Sequence, residues 1–147
     1  LGVREIDIFF SERTIVKLKP SECDGKLSRY RRIVKEASEQ SRRSRIPLVS
    51  FLTSFNDAVN VKAQHRLIAY EEQSGSTTIF NNSLKKIKKG ERVAVIIGPE
   101  GGFTSEEIDI AKQRGFNIIG LGRRILRAET AAIYAISVIA NHLENQS

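Results

Sequence analysis

Two stretches decide the fold of this chain: Val93-Ala-Val-Ile-Ile-Gly-Pro-Glu-Gly-Gly-Phe103 and Leu121-Gly-Arg-Arg-Ile-Leu-Arg-Ala-Glu-Thr-Ala131. Each follows or contains an apolar run, carries a glycine-bearing loop and leads into a predicted helix. Two such strand–loop–helix units side by side place both loops at the carboxyl edge of a parallel sheet. Because open α/β sheets bind their ligands at that edge, residues 93–131 predict a binding site as well as a fold.

Strands and helices alternate along the whole chain, which predicts one α/β domain over residues 1–147, with a mostly parallel sheet and helices on both faces. The predicted strands are 5–10 with a short continuation at 14–17, 48–52, 67–70, 92–97 and 117–121. The predicted helices are a segment from about 20–25 to Pro47, 55–61, a segment from the capping box Thr104-Ser-Glu-Glu107 to Arg114 and Gly115, and 128–144.

The composition of the 147 residues limits what the chain can bind. A formal charge of +7 and an isoelectric point near 9.8 predict an anionic partner, either nucleic acid or an anionic membrane surface. The longest apolar run, 131–140, is about half of the roughly 20 residues that a membrane span needs. We therefore expect nucleic acid and no membrane partner.

The cysteine and histidine content predicts the cellular compartment of the protein and gives no pattern typical of a metal site. Cys23 is the only cysteine, so an internal disulfide is excluded and a reducing compartment is favoured. Together with a start that lacks a basic-then-apolar leader, this predicts a cytoplasmic protein. His65 and His142 lie far apart and no Cys/His spacing is typical of a metal site, so we expect no metal.

Residues 27–45 combine an apolar stripe with a strongly basic face. The stripe recurs at helical spacing and consists of Leu27, Tyr30, Ile33, Val34 and Ala37. The basic face consists of Arg29, Arg31, Arg32, Lys35, Arg42, Arg43 and Arg45, against which stand only Glu36 and Glu39. This face either contacts phosphates of a nucleic acid or is simply solvated.

The loop Gly98-Pro-Glu-Gly-Gly102 is not a phosphate loop. It lacks both the GxxxxGK and the GxGxxG spacing, and it places Glu100 where an anion would lie. Glycines beside a carboxylate favour a ligand that is cationic or rich in hydrogen-bond donors and that the backbone approaches closely. S-adenosylmethionine (SAM), with its sulfonium and its adenine amino group, is one such ligand. The alternative is a tight structural turn with Glu100 solvated.

The loop 121–127 places Arg123, Arg124 and Arg127 before a helix N-terminus, where positive charge is unfavourable by ~0.3–1 kcal/mol per residue. Such a cluster indicates a compensating anion, which is either a bound phosphate, a developing negative charge or the carboxylate of Glu129. An Arg127–Glu129 pair with surface arginines is the structural alternative.

These motifs together resemble the bacterial methyltransferases of the SPOUT class that modify N3 of a uridine in 16S ribosomal RNA. The resemblance is carried by 97–103 and 121–131, by the EQ-x-x-R-x-R-x-P pattern at 39–47, and by the opening 1–3 with Ser11-Glu12-Arg13. It covers nearly the whole chain. It implies a deep C-terminal trefoil knot, a homodimer, SAM as cofactor, and 16S ribosomal RNA or the small ribosomal subunit as partner.

The resemblance also assigns residues. It implies that SAM lies against the loops at 69–72, 97–102 and 121–126. The implied cofactor contacts are Tyr70, Glu71, Ile97, Gly98, Pro99, Glu100, Gly101, Gly102, Leu121, Gly122, Arg124, Ile125, Leu126 and Thr130. The expected RNA contacts are Arg13 and, from the basic face, Arg29, Arg32, Arg42, Arg43 and Arg45.

Methylation at N3 requires removal of its proton, which defines the expected catalytic residues. Arg127 stays protonated and suits stabilisation of the uracil anion, whereas Glu129 or Glu100 serves as base if burial raises its pKa. The choice between the two carboxylates stays open. The alternatives to this function are a related SPOUT methyltransferase that acts on a ribose 2′-hydroxyl and a catalytically silent RNA-binding fragment.

The chain departs from the family pattern at two positions and in extent. Arg123 stands where the family usually has proline, and Arg42 where it often has glycine. The family carries an N-terminal β-barrel RNA-binding domain, followed by a strand and a helix, ahead of the segment that begins at Leu1. We therefore expect this sequence to be part of a longer protein.

Overall fold

The structure, a computed structural model, describes residues 1–15, 17–73 and 76–146. The α/β class predicted from the alternation of strands and helices is confirmed. In chain order the elements are β1 (Glu5–Ile8), α1 (Pro20–Gln40), β2 (Leu48–Phe51), α2 (Phe55–Val59), β3 (His65–Ala69), a 3-10 turn (Glu71–Gln73), α3 (Thr78–Leu84), β4 (Val93–Ile96), α4 (Ser105–Gln113), β5 (Asn117–Ile119) and α5 (Ala128–Glu144).

All strand pairings are parallel, and they form two groups rather than the single sheet expected from the sequence. β1 pairs with β2, and β3 lies between β4 and β5 in a three-stranded sheet. The strand–loop–helix units that contain β4 and β5 were predicted side by side, and this is wrong because β3 separates them. Their loops nevertheless share the carboxyl edge, since both strands run parallel to β3.

The three-stranded sheet buries both of its faces, as its short apolar strands require. On one face, Ile68, Ile96 and Ile118 pack with residues of α2 and α4. On the other, Leu67 and Ile119 pack with residues of α3 and α5. Because successive side chains of a strand point to opposite faces, neighbouring residues of β3 and β5 reach different cores. The prediction of helices on both faces is thus confirmed.

Several predicted boundaries differ from the observed ones. Of the predicted continuation at 14–17, the described residues do not extend β1: Thr14 lies in a turn, where its hydroxyl oxygen accepts from the Ser11 N–H at 3.0 Å. Val16 lies outside the described residues. Helix α3 was not predicted, because the sequence around it is polar. Its signal was the apolar pair Phe80 and Leu84 at i, i+4 spacing, and both are buried.

No helix within the described ranges combines the length and the apolar character that crossing a membrane requires. The long helix α1 is predominantly polar, and its predicted apolar stripe is only partly covered. Tyr30 packs against Phe51 of β2 with ring centroids 6.4 Å apart, whereas Ile33 is exposed.

Helices α1 and α4 end with the same hydrogen-bond pattern but with different residues at the critical position. After α4, Gly115 takes the left-handed conformation at φ 80°, and its N–H donates to the Lys112 carbonyl at 3.0 Å. After α1, Arg42 takes that conformation at φ 54°, and its N–H donates to the Glu39 carbonyl at 3.1 Å. Glycine adopts this geometry without steric cost, whereas a side chain does not.

Arg42→Gly should therefore stabilise the protein. Relief of the left-handed strain stabilises the folded state by more than the added conformational entropy of glycine stabilises the unfolded chain. We therefore expect the free energy of unfolding to rise by ~0.5–1 kcal/mol. For a domain of this size that is about 1–4 °C in Tm, measured by thermal unfolding. Ser44→Gly is the control, since Ser44 has no positive φ and its replacement should lower Tm. A lower Tm for Arg42→Gly would contradict the strain argument.

Candidate functional site

A cavity of about 290 Å³ opens where β3, β4 and β5 end. Because the three strands are parallel, the segments that follow them meet at one edge of the sheet. Most of the predicted cofactor contacts line this cavity: Tyr70, Glu71, Ile97, Gly98, Pro99, Glu100, Gly102, Leu121, Gly122, Arg124, Ile125 and Leu126. The predicted catalytic residue Arg127 also lines it. The volume lies at the lower end of the range typical of small-molecule sites, roughly 300–1,000 Å³.

The first loop forms a tight turn on an aromatic support. The Gly102 N–H donates to the Pro99 carbonyl at 2.9 Å, which closes the turn. Phe103 is buried below it, and its ring packs against Phe55 with centroids 5.6 Å apart. A Cβ on Gly98 would lie 2.9 Å from the Phe103 ring, so the loop can rest on the ring only with glycine there.

The two adjacent glycines of this loop face different parts of the structure. Gly102 takes φ 70°, and a Cβ there would lie 3.1 Å from the Glu71 carboxylate across the cavity. Gly101 instead faces Arg13: a Cβ would lie 3.1 Å from Arg13 Cβ, and Arg13 Nη1 donates to the Gly101 carbonyl at 3.2 Å. The structure thus brings Gly102 to the cavity, whereas Gly101, also a predicted cofactor contact, is not among its lining residues.

A buried carboxylate fastens the loop to the start of the chain. Glu107 is 6% exposed, and its Oε2 accepts from the Thr104 N–H at 3.0 Å in the predicted capping box. Its Oε1 accepts from the Glu12 N–H at 2.9 Å. Glu107 therefore ties the segment that carries Arg13 to the helix that follows the glycine loop. Sequence reasoning identified the cap but not this second bond, which spans 95 residues.

The second loop brings only part of its predicted site to the cavity. Arg127 is the N-cap of α5, with an exposed side chain, and within the described residues it makes no ion pair, so the expected alternative of an Arg127–Glu129 pair does not form. Glu129 and Thr130 are exposed in the first turn of α5 and do not line the cavity. Ala69, which begins the predicted loop at 69–72, also lines the cavity, and the lining residues that prediction missed are Phe103, Ile119, Ala128 and Ala131. They are apolar, and nothing in their sequence context separates them from ordinary core residues.

The cavity mixes both signs of charge. Glu71 and Glu100 line it on the side of the first loop, and Arg124 and Arg127 on the side of the second. Beside it, the Glu72 carboxylate accepts a hydrogen bond from the Tyr70 hydroxyl and holds the pKa of Tyr70 above its ordinary value. Tyr70 therefore stays protonated at neutral pH, and its single O–H is taken up by Glu72.

The predicted RNA contacts lie outside this cavity and in different places. Arg13 is held against the glycine loop, and Arg29 and Arg32 lie on the exposed face of α1, where Arg32 Nε is 4.0 Å from a Glu36 oxygen. Arg42, Arg43 and Arg45 lie together in a separate cleft. In the described part of the chain, no group of three His, Cys, Asp or Glu residues is placed to hold a metal ion.

Comparison with known proteins agrees with this geometry. A family model described as an RNA methyltransferase domain matches residues 1–140. The ribosomal RNA small subunit methyltransferase E of Bacillus subtilis is 35% identical over 98% of this chain, and that of Synechocystis is 36% identical over 99%. The chain spans about half the length of these relatives, 58% and 47% respectively.

Solved structures resemble the fold closely. A Legionella pneumophila protein solved with the cofactor SAM bound superimposes with a TM-score of 0.84 and 34% identity, covering 95% of this chain and 56% of its own. The ribosomal RNA small subunit methyltransferase E of Neisseria gonorrhoeae, bound to S-adenosyl methionine, gives a TM-score of 0.78 and 33% identity over the same fractions of both chains. The family resemblance predicted from the motifs is confirmed.

The double role of Glu107 can be tested by its removal. Glu107→Ala leaves the N–H groups of Thr104 and Glu12 without an acceptor, and each such loss costs about 1–3 kcal/mol, so the free energy of unfolding measured in urea should fall by ~2–6 kcal/mol. Glu106→Ala removes the same charge from an exposed position in the same turn, and only the helix-dipole effect of ~0.3–1 kcal/mol is expected. Equal losses for the two variants would refute the clamp.

Proposed function

This chain belongs to the family of RNA methyltransferase domains, and we propose that it transfers the methyl group of SAM to N3 of a uridine in 16S ribosomal RNA. The observation that carries this proposal is the cavity at the ends of β3, β4 and β5. Its lining residues include nearly all the positions that the family resemblance assigns to the cofactor. A cytoplasmic location follows from the proposed ribosomal RNA substrate.

The chemistry of the lining suits SAM. Glu71 and Glu100 supply negative charge for a sulfonium, and Gly102 lets the backbone approach the ligand without a side chain. The apolar residues Ile97, Leu121 and Leu126 offer a dry surface for the adenine ring. When bound, SAM supplies a methyl group on a positively charged sulfur. That sulfur leaves as a neutral thioether, which makes it a good leaving group.

The task left to the protein is to make N3 nucleophilic. N3 bears a proton at neutral pH, and its lone pair must form the new N–C bond as the sulfur–carbon bond breaks. We assign to Arg127 the stabilisation of the negative charge that develops on the uracil as the proton leaves. Arg127 lines the cavity and its guanidinium makes no ion pair among the described residues, so its donors are available to a substrate.

Neither of the two candidate carboxylates is in the environment that the base accepting this proton needs. A base working near neutral pH needs burial to raise its pKa, and neither Glu100 nor Glu129 is buried in the single chain. Glu100 lines the cavity and Glu129 does not, which favours Glu100. We therefore propose that Arg127 carries most of the rate enhancement and that Glu100 is the candidate base.

We also propose that the chain acts as a homodimer through α5. This helix buries one stripe, Ala131, Ala135 and Ile139, against the sheet. Next to the cavity it leaves Ile133 61% and Tyr134 41% exposed, with Ile125 of the preceding loop 74% exposed. A second copy on this face would bury these side chains beside Arg127 and Glu129 and would complete the wall of the cavity. The trefoil knot stays a prediction of the family resemblance.

SAM binding tests the site, and Gly102→Ala tests the loop within it. Alanine at φ 70° strains the turn and approaches Glu71, so we expect calorimetry to give a SAM affinity at least about tenfold weaker, or ~1.4 kcal/mol. Gly90→Ala imposes a similar strain at φ 94° with open space around it, so it should leave SAM affinity unchanged. No heat with the wild-type chain would overturn the proposed function, and equal affinities of the two variants would make the loop a structural turn.

Arg127→Lys separates a placed guanidinium from a general positive charge. Loss of a preorganised donor costs ~2.7–4 kcal/mol in the transition state, so we expect a single-turnover methylation rate lower by about 100-fold or more, with SAM affinity within a few-fold of wild type. Raising the pH should recover part of the rate, since the uracil anion then forms with less help. Digestion of the product to nucleosides should locate the methyl group on the base, whereas a methyl group on the ribose would identify the 2′-hydroxyl reaction instead.

The control for this variant is Arg123→Lys, in the same loop but not among the residues that line the cavity. It should methylate at the wild-type rate. A near-normal rate for Arg127→Lys, or a defect independent of pH, would leave Arg127 as a structural residue at the start of α5.

A further inference from the structure

A second concave surface lies at the opposite end of the β1–β2 pair from the glycine loop, and we call it the arginine cleft. It encloses about 410 Å³ and is lined by Gly2, Arg4, Arg42, Arg43, Ser44 and Arg45. Two chain segments meet there, the residues before β1 and the residues before β2, because parallel strands begin at the same edge. Arg4, whose sequence context is unremarkable, is thereby placed among three arginines that lie about 40 positions further along the chain.

The charge of the cleft is not balanced by the protein. The ion pairs of the described residues are Arg32–Glu36, Lys35–Glu39 and His65–Glu91, and none includes a residue of the cleft. The α1 face therefore differs from the cleft, since Glu36 and Glu39 pair with two of its basic residues. Four arginines that share one concave surface without a carboxylate partner repel one another, and an anion in the cleft would remove that repulsion.

One arginine of the cleft is already fixed in position. Arg43 is half-buried, and its Nη2 donates to the Val3 carbonyl at 2.7 Å. This bond ties the segment before β1 to the segment before β2. It uses one of the five guanidinium N–H donors and leaves a held, planar group, which is the arrangement suited to bidentate recognition of a phosphate.

A second arginine occupies the cleft at a steric cost. Arg42 holds φ 54° at a position where glycine would be strain-free, so its side chain is retained against the local preference of the backbone. Strain of this kind is typical of functional positions. Because Arg42 lines the basic cleft in spite of its strained backbone conformation, we infer that its charge has a function.

We propose that the arginine cleft binds the phosphodiester backbone of the RNA, at a point remote from the methylated base. This inference rests on the proposed RNA substrate. The cleft and the SAM cavity are separated by at least the length of β1, about 13 Å for four residues, because Arg13 follows the other end of that strand and contacts the glycine loop. The cleft is thus an anchoring site for the RNA and takes no part in methyl transfer. Its concave shape fits a single strand better than the flat surface of a bilayer.

The salt dependence of RNA binding tests the cleft. We would measure the affinity of a fluorescein-labelled single-stranded oligouridylate by anisotropy at several salt concentrations, for the wild type and for Arg4→Gln/Arg45→Gln. Each phosphate contact contributes about −0.7 to the log–log slope on a single strand, so loss of two contacts should flatten it by about 1.4. Lys85→Gln/Lys86→Gln removes the same charge from exposed positions elsewhere and should leave the slope unchanged.

The proposal is overturned if the slope of the cleft variant equals that of the wild type, or if the lysine variant flattens it equally. It is also overturned if vesicles that contain phosphatidylserine retain the wild type and not the cleft variant while the RNA slope is unchanged, since the ligand is then a membrane. Calorimetry with SAM separates this proposal from the proposed function. A wild-type chain that takes up no SAM refutes the methyltransferase assignment, whereas the slope comparison still decides the cleft.

Arg42→Gly distinguishes a binding role from a structural one. This variant should unfold at a higher temperature than the wild type and yet bind the oligouridylate with a slope flatter by about 0.7. A residue kept only for structure cannot give both results. An unchanged slope in the stabilised variant would remove Arg42 from the cleft's function and overturn the proposal for that residue.

Discussion

The burial of β3 on both faces is the constraint on which the rest of the structure depends. Leu67 and Ile68 are adjacent in the chain and fully buried, yet each belongs to a different core. Burying each such side chain contributes about 1.5–3 kcal/mol, and neither contribution survives a register shift of one residue, which would exchange the two faces. The position of β3 therefore fixes β4 and β5 beside it, and with them the edge at which all three strands end.

The loops at that edge are held by groups that lie behind the cavity wall. Gly98 rests on the ring of Phe103, which is part of the core below, and Glu107 binds the backbone at Thr104, just after the first loop, and at Glu12, in the segment that carries Arg13. Such supports order the loop before any ligand arrives, so binding a ligand does not have to supply the free energy of ordering it. The segment that carries Arg13 belongs to this support as well as to the surface.

The charges of the chain are divided between two surfaces, and the net charge of +7 conceals that division. The cavity is lined by Glu71 and Glu100 together with Arg124 and Arg127, whereas the arginine cleft lies at the opposite end of the β1–β2 pair, without acidic partners among the described residues. The proposed ligands fit this difference, because the mixed charges of the cavity meet the positive sulfonium of SAM and the developing negative charge of the uracil, whereas the basic cleft meets only the negative backbone of RNA.

The sequence by itself determined the local features of this protein. Helix α5 was predicted at its observed bounds, and the capping box at Thr104 and Glu107 was predicted with its partners, because caps and helical periodicity depend on residues within a few positions of one another. The two glycine loops were likewise predicted to share one edge. The family resemblance rested on the same short patterns.

Only the tertiary structure decided which residues meet across long stretches of chain. It inserted β3 between the two predicted units, turned Gly101 toward Arg13, and left Glu129 outside the cavity that Arg127 lines. It also assembled the arginine cleft from Arg4 and a segment about 40 residues later. These contacts depend on strand order and on the direction of each side chain, and both are set by packing of the two cores, which no local pattern of residues encodes.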